Sequence, residues 1–252
     1  MKTIGAFVPL LAAVTLAAGC AVAVGGTARP TADSTPRPLT GQTIKRVLLG
    51  EGVLSRILKQ SFEVDHRFPP RFGGPDQLQN DGPALPVDCL GVAEMLQQSV
   101  YQSANVSQVA VETWRHVARS VEVTGVREGV VSLPTAADAK ALFAEFSRQW
   151  QKCDGTTLPL PGSVFRLEAK ATNIQAAASV LGATVSMRFT VSGSDSPSIP
   201  AGRAIGVRDN CLVEVEVDFF NTSNPSPQRS GDINSSAIDI AHAMMDEVSA
   251  LS

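Results

Sequence analysis

The sequence predicts an α+β domain in which helices pack on one face of an antiparallel sheet of about six strands. Three observations predict this class. A helical apolar stripe runs through Thr135–Cys153, apolar and polar residues alternate strictly through Thr184–Val191, and two apolar strands flank the turn Asp209-Asn210. The 252 residues are 44% apolar and 18% charged, which suits one globular domain plus an appendage, or two small domains.

The helix at Thr135–Cys153 organises the folded part. Its apolar residues are spaced i, i+3, i+4, i+7 and i+11, at Ala139, Leu142, Phe143, Phe146 and Trp150. Pro134 and Thr135 mark its start, and Gly155 lies just past its end. We expect a core helix that covers the sheet rather than a cofactor site.

The other elements follow from periodicity and from turn residues. Before the main helix, the sequence predicts an ambiguous segment Thr43–Leu49, helical turns at Val53–Gln60, a loop Glu63–Pro86, a helix Leu90–Gln102, and strands Val106–Arg119 and Val121–Leu133. After it come strands Thr156–Leu160, Val164–Thr172 and Thr184–Val191, a hairpin of Arg203–Arg208 with Cys211–Phe220, and a helix Asp232–Leu251. The acidic row Glu214, Glu216 and Asp218 predicts a solvated strand face rather than paired catalytic carboxylates.

Residues 1–19 have the organisation of an export signal. Met1-Lys2 is basic, and Ile4–Leu16 is apolar but too short to span a bilayer. Small residues then lead directly to Cys20. This arrangement is typical of a bacterial lipoprotein signal, because the cysteine thiol is the nucleophile that accepts the lipid.

The lipoprotein pattern departs from the usual one at Ala17, where a leucine is common. The alternative is a plain secretory peptide cut after Ala18 or Ala23. If Cys20 is lipidated, two or more acyl chains hold the protein far more firmly than one. We therefore predict a protein attached by lipid to the extracytoplasmic face of the cell membrane.

Residues 20–42 predict a tether that begins with the lipidated cysteine. The segment is rich in Gly, Pro, Thr and Ala and has nothing to bury, so we expect a disordered spacer. Its Thr and Ser residues beside Pro are candidates for O-linked sugars. The folded domain is then expected over residues 43–252.

Composition argues against several classes of partner. The net charge is −3, no basic run stands out, and the chain has one Tyr, so nucleic acid is not an expected partner. The three His and four Cys show no CxxC or HxxxH spacing. We therefore expect no metal site and no cofactor.

The cysteines beyond Cys20 predict one disulfide. An exported chain meets an oxidising setting; Cys89 opens a predicted helix and Cys153 closes another, at junctions where disulfide geometry can be met. Cys211 is in phase with Val213 on its strand and should point into the core. The prediction is a Cys89–Cys153 bridge with Cys211 as a buried free thiol.

Three stretches carry a resemblance to a known family. They are PVDCLGVAEMLQQSVYQS at 86–103, VVSLPTAADAKALFAEFSRQWQKCDGTTL at 130–158 and GRAIGVRDNCLVEVEV at 202–217. These stretches resemble the extracellular sensor domain of PknH-type mycobacterial kinases, and the similarity extends over about residues 43–251. The resemblance implies a helix-on-sheet domain outside the membrane with a cleft for an unidentified ligand, and it supports the Cys89–Cys153 pairing.

The chain departs from the family in two respects. The family commonly has a second disulfide late in the chain, where this sequence has Cys211 alone, so the resemblance implies one bridge fewer. The sequence also lacks kinase motifs and a transmembrane helix, so we expect a free-standing lipoprotein version of the domain.

These observations favour a non-catalytic surface module that binds a small molecule, an envelope lipid or a glycan. Trp114, Arg115 and the loop Glu63–Pro86 are candidate lining residues, although a tryptophan more often belongs to the core and an arginine is more often solvated. One alternative is a scaffold that binds another envelope protein. Another is a cell-envelope hydrolase, in which His116 or His242 would meet a nucleophile through folding, since GxSxG, SxxK and HExxH are missing.

Overall fold

The structure is a computed structural model that describes residues 36–80, 82, 86–118, 122–160, 166–191, 194–220 and 231–252. The predicted signal peptide, Cys20 and the tether up to residue 35 lie outside the described residues. The compact unit begins at Pro36. Leu39, which the sequence assigned to the tether, is buried and donates its backbone N–H to Asn210 Oδ1 at 2.7 Å. Leu39 therefore packs against the folded domain.

An antiparallel sheet forms the centre of the domain. Within the described residues its ten strands are β1 (Phe62–Val64), β2 (Arg71–Gly73), β3 (Gln108–His116), β4 (Val123–Ser132), β5 (Thr157–Leu160), β6 (Arg166–Ala176), β7 (Val180–Val191), β8 (Ser194–Asp195), β9 (Ile199–Arg208) and β10 (Cys211–Phe219). They follow the order β1-β3-β4-β10-β9-β7-β6-β5, with β2 also paired to β3 and β8 to β7. The predicted α+β class is confirmed, and the strands that the sequence did not predict are the short β1, β2 and β8.

Helices cover both faces of the sheet rather than the one face expected. They are α1 (Glu51–Leu58), α2 (Leu90–Ala93), α3 (Ala136–Gln151) and α4 (Ser236–Leu251), with a 3-10 helix at Gly41–Val47. Leu212 belongs to the core beneath α2 and α3, whereas Val213 belongs to the core beneath α1 and α4. Because successive residues of the central strands are apolar, both faces need cover. We call them the α3 face and the α4 face.

Helix α3 follows the sequence prediction closely. Thr135 is its N-cap, and its Oγ1 accepts the backbone N–H of Asp138 at 3.1 Å. All five residues of the predicted apolar stripe are buried. Gly155 has a φ of +76°, a left-handed conformation that glycine adopts without strain.

The predicted disulfide is confirmed. Cys89 and Cys153 are bonded, with their Cα atoms 5.6 Å apart. Cys89 directly precedes α2, and Cys153 follows α3 by two residues, so the bridge ties together the two helices of the α3 face. Cys211 is a buried free thiol, as expected.

The predicted helix Leu90–Gln102 is wrong beyond its first turn, because α2 has four residues. Arg203 donates to the carbonyl oxygens of Gly91 and Val92 at 3.1 and 3.3 Å, which a longer helix would use itself. The backbone N–H of Leu96 donates to a carboxylate of β10. Arg203 and Glu214 on the sheet therefore form hydrogen bonds with the backbone groups that would otherwise extend the helix.

Helix α4 lies close to the sheet because β9 presents glycine beneath it. A Cβ at Gly206 would lie 2.6 Å from Met245 Sδ, and one at Gly202 would lie 2.8 Å from the carbonyl oxygen of Ile233. Such contacts are shorter than a real Cβ tolerates. The α4 face is therefore closed by direct contact between helix and strand backbone.

Candidate functional site

A cavity of about 920 Å³ opens on the part of the sheet near the ends of β3, β4 and β10. Its lining includes Asp65, Arg67, Phe68, Arg115, Arg127 and Asp218. A second cavity of about 270 Å³ shares Arg67, Phe68, Thr113 and Arg127 with it. We call the two together the cleft. The larger cavity alone is in the range of small-molecule sites, which is roughly 300–1,000 Å³.

The loop between β1 and β2 forms one wall of the cleft. Both strands pair with β3, at Trp114–His116 and at Val109–Val111 respectively, so the chain between them must leave the sheet. Asp65 holds the start of this loop against β3, because its backbone N–H donates to the carbonyl of Thr113 at 2.8 Å. Its carboxylate accepts from the backbone and the guanidinium of Arg67, and this hydrogen bonding holds the pKa of Asp65 at about 2.

Phe68 stands at the rim of the cleft as an exposed aromatic ring. It is 53% exposed, and the guanidinium of Arg67 lies 5.8 Å from the ring centroid. An apolar ring left in water beside a cavity offers a contact surface to a bound molecule. Phe72, which belongs to the loop Glu63–Pro86 that was predicted to line the site, instead packs against the core of the α4 face, with Lys45 over its ring.

Two further ion pairs stand at the cleft. Arg115 pairs with Glu63 of β1, and Arg127 Nη1 lies 3.4 Å from Glu216 Oε1. Arg115 and Glu63 are both substantially exposed, whereas Glu216 is nearly inaccessible. The second pair therefore stands in a less polar setting, where a charge is held more firmly by its partner.

Asp218 is the carboxyl group at the floor of the cleft that lacks a hydrogen-bonded partner among the described residues. Its backbone carbonyl accepts from Thr124 Oγ1 at 3.3 Å. Burial, and then the charge of Glu216, raise the pKa of Asp218 to about 7, against the opposing effect of Arg127. A carboxyl group of this kind exchanges its proton near neutral pH.

A buried polar network continues from the cleft into the core. Arg203 Nη2 donates to Glu214 Oε2 at 2.9 Å, and Arg203 Nε lies 3.9 Å from Glu216 Oε2. Glu214 Oε1 accepts from Tyr101 Oη at 2.6 Å. Burial, and then the charge of Glu214, raise the pKa of the Tyr101 phenol well above its usual value. Glu216 thus interacts both with Arg127 at the cleft and with Arg203, whose guanidinium binds the backbone of α2.

The structure brings the sequence-predicted residues Trp114 and Arg115 to the cleft. The Trp114 side chain is nonetheless part of the α4-face core, 7% exposed, and its Nε1–H donates to Glu128 Oε2 at 2.9 Å. Arg115 projects from the neighbouring register position into its ion pair with Glu63. Of the two, Arg115 is therefore the one whose charged group is accessible to a ligand.

The acidic row on β10 is the main correction to the site prediction. Glu214 and Glu216 are buried rather than solvated, and Asp218 is half-buried. Arg203 on the adjacent strand and the backbone of α2 cover them. The sequence did hold a signal: a two-residue turn at Asp209-Asn210 places Arg203 opposite Glu216.

The two histidines of the hydrolase alternative lie in different places. His116 lines the larger cavity, and its Nδ1 is 2.6 Å from the carbonyl oxygen of Ala118, whereas His242 lies on the exposed side of α4. Burial raises the pKa of the Cys211 thiol to about 12. In the part of the chain that the structure describes, no group of three or more His, Cys, Asp or Glu residues is placed to hold a metal ion.

No helix among the described residues combines the length and apolar character needed to cross a membrane.

Comparison with known proteins gives a family match over most of the chain. The family model described as the PknH-like extracellular domain matches residues 39–247. The crystal structure of the extracellular domain of PknH from Mycobacterium tuberculosis is similar, with a TM-score of 0.67 and 17% identity over 86% of this chain and 100% of that chain. At this identity the likeness shows the fold alone.

A second X-ray structure, of an uncharacterised protein from Mycobacterium smegmatis, has a TM-score of 0.40 and 12% identity over 82% of this chain and 96% of that chain. No curated protein matches the chain.

Proposed function

Because the chain belongs to the PknH-like extracellular domain family, we propose that it is a non-catalytic domain that binds a ligand outside the cell membrane. The cleft is the proposed binding site. The observation that carries the proposal is an open cavity of about 920 Å³ with a half-buried carboxyl group, Asp218, at its floor. Because no donor of the described residues bonds to this carboxyl group, its oxygens can accept from a ligand hydroxyl or amide.

We propose further that an N-terminal lipid holds the domain at the membrane. The support is the sequence of residues 1–20, in which small residues lead to Cys20 after a short apolar segment. Intact mass measurement of protein extracted from its own host should show the diacylglyceryl and acyl groups on Cys20. Cys20→Ala should appear in the soluble fraction; membrane attachment that persists in this variant would refute the lipid anchor.

Ligand binding is tested by native mass spectrometry of protein purified from its own host. The expected result is an added mass that disappears in Thr113→Trp, because Thr113 lies on β3 beneath both cavities of the cleft and an indole would fill that space. Lys170→Trp, on an exposed position of β6, is the matched control and should keep the added mass. Repeated purification without an added mass, together with unchanged thermal stability in host extract, would count against the proposal.

A further inference from the structure

The arginines that line the larger cavity are already paired with carboxylates. The pairs are Arg67 with Asp65, Arg115 with Glu63, and Arg127 with Glu216. In each pair the two charges cancel. The guanidinium groups of Arg67 and Arg115 and the carboxylate of Glu63 are accessible, whereas the carboxylates of Asp65 and Glu216 are nearly inaccessible. Arg71, at the smaller cavity, also takes part in an interaction within the protein.

A charged ligand fits this lining poorly. An anion that approached Arg127 would be repelled by Glu216, its partner at 3.4 Å. A cation that approached Asp218 would be repelled by Arg127 and Arg203, whose charges already act on that carboxyl group. Displacing either partner would leave a charge without its counter-charge in a partly desolvated site, which is costly. The described lining therefore favours a molecule that donates and accepts hydrogen bonds without a net charge of its own.

Asp218 specifies what such a molecule must offer. Among the described residues no side chain or backbone N–H donates to its carboxylate, while Arg127, Arg203 and Glu216 act on it through their charges. Its pKa of about 7 leaves it partly protonated near neutral pH. In either protonation state it keeps an acceptor oxygen, so a donor on the ligand complements it. A hydroxyl group supplies a donor without adding charge.

At the rim of the cavity the ligand must also offer an apolar surface. Phe68 is half-exposed beside the cavity, and its ring offers an apolar face to a bound molecule. A sugar ring has C–H groups on its faces and hydroxyl groups around its edge. It can therefore rest on an aromatic ring while its hydroxyls bond to ion pairs and a carboxylate.

We infer that the cleft takes an uncharged, polyhydroxylated ligand, a neutral oligosaccharide, with one hydroxyl donating to Asp218 and one sugar face resting on Phe68. This inference rests on the proposed function, because it names the ligand class of the same cleft. It also selects the glycan from the three ligand classes that the sequence left open.

The test is binding of the folded domain, residues 36–252, to a printed array of neutral, uronic-acid and amino-sugar oligosaccharides, followed by calorimetric titration of the best neutral ligand. Asp218→Asn removes the charged acceptor, and Phe68→Ala removes the exposed ring. We expect each to weaken binding about tenfold or more, as losing a hydrogen bond to a charged group or an aromatic contact does. Asp209→Asn makes the same chemical change in the β9–β10 turn and should leave binding unchanged.

Each outcome decides the inference. Neutral oligosaccharide binding that both variants weaken, in proteins with wild-type near-UV circular dichroism, supports it. Preference for uronic acids or amino sugars, binding insensitive to both variants, or no binding on the array overturns it. The proposed function is judged separately: an added mass from the host that Thr113→Trp removes would uphold ligand binding even where the array gives none.

Discussion

The two faces of the sheet are closed by different means. On the α4 face, hydrocarbon fills the space between sheet and helices, and glycine positions let α4 touch the strand backbone. Among the described residues, the buried charged side chain of that face is Glu128. On the α3 face, apolar packing stops partway along the strands, and Glu214, Arg203 and Glu216 take its place before the cleft begins.

This difference shows where a binding site can be built on a shared sheet. A close-packed apolar face has no room for a ligand and gains its stability from burial. The ionic network ties β9 and β10 to the backbone of α2, and the cleft begins beyond it, where Arg127 pairs with Glu216. The network itself is a weak source of stability because of desolvation, and it serves to fix the cleft's charged walls.

The largest effect is expected at Glu128 on the α4 face, which accepts from the backbone N–H of Leu49 at 3.2 Å and from Trp114. Burial raises the pKa of Glu128 to about 8. Since the folded protein keeps this proton while the unfolded chain releases it near pH 4.5, the free energy of unfolding falls as pH rises from about 4.5 to about 8, by at most about 5 kcal/mol.

Glu128→Gln should remove most of this pH dependence and make the protein more stable than wild type at pH 9. The measurement is urea unfolding at pH 5 and pH 9. Glu247→Gln, on the exposed side of α4, is the control and should track the wild type. A variant with the wild-type pH profile would show that Glu128 is not a buried acid.

Arg203 gives the corresponding test on the α3 face. Arg203→Met keeps a side chain of similar length but leaves the buried Glu214 without its ion-pair partner and Glu216 with Arg127 alone. We expect a loss of about 3–5 kcal/mol in the free energy of unfolding. Arg188→Met, on an exposed position of β7, should change it by less than about 0.5 kcal/mol. Equal effects from the two variants would mean that the network does not hold this face together.

Helix α3 could be predicted from the sequence, whereas the ionic network around Arg203 could not. The stripe of α3 and its cap at Thr135 are local patterns, so they were predicted correctly. The Cys89–Cys153 pair was predicted because both cysteines stand at helix junctions in an exported chain. The helix needed only information from within a few residues, and the disulfide needed in addition the export signal at residues 1–20.

The burial of Glu214 and Glu216 depends instead on distant partners. Their alternation with valine is what a half-solvated strand shows, and the helix that covers them ends after one turn because Arg203 takes its carbonyl groups. Arg203 is 111 residues from Val92 in sequence. The register of the hairpin pointed to the Arg203–Glu216 pair, but no local pattern indicated what would lie above it.

The disulfide tests the difference between the two faces of the sheet because it belongs to the α3 face alone. Its removal in Cys89→Ser/Cys153→Ser should lower the free energy of unfolding by about 2–4 kcal/mol, since it closes a loop of 64 residues. Cys211→Ala, on the α4 face, should cost about 1 kcal/mol for a small cavity. Equilibrium denaturation with and without reductant measures both. A reductant effect in the double variant would contradict assignment of the bridge to these two cysteines.

The smallest expected effect is at Asp218, where the cleft exposes to water the kind of group that the α4 face seals off. Burial raises the pKa of Asp218 to about 7, so stability should fall as pH rises from about 4 to about 7. Partial access of water reduces the effect to about 1–2 kcal/mol. Asp218→Asn should remove this fall and gain stability at pH 8, with Asp209→Asn unchanged, both measured by urea unfolding. A pH dependence at Asp218 as large as that at Glu128 would mean that the cleft is closed in solution, and the contrast between the two faces would fail.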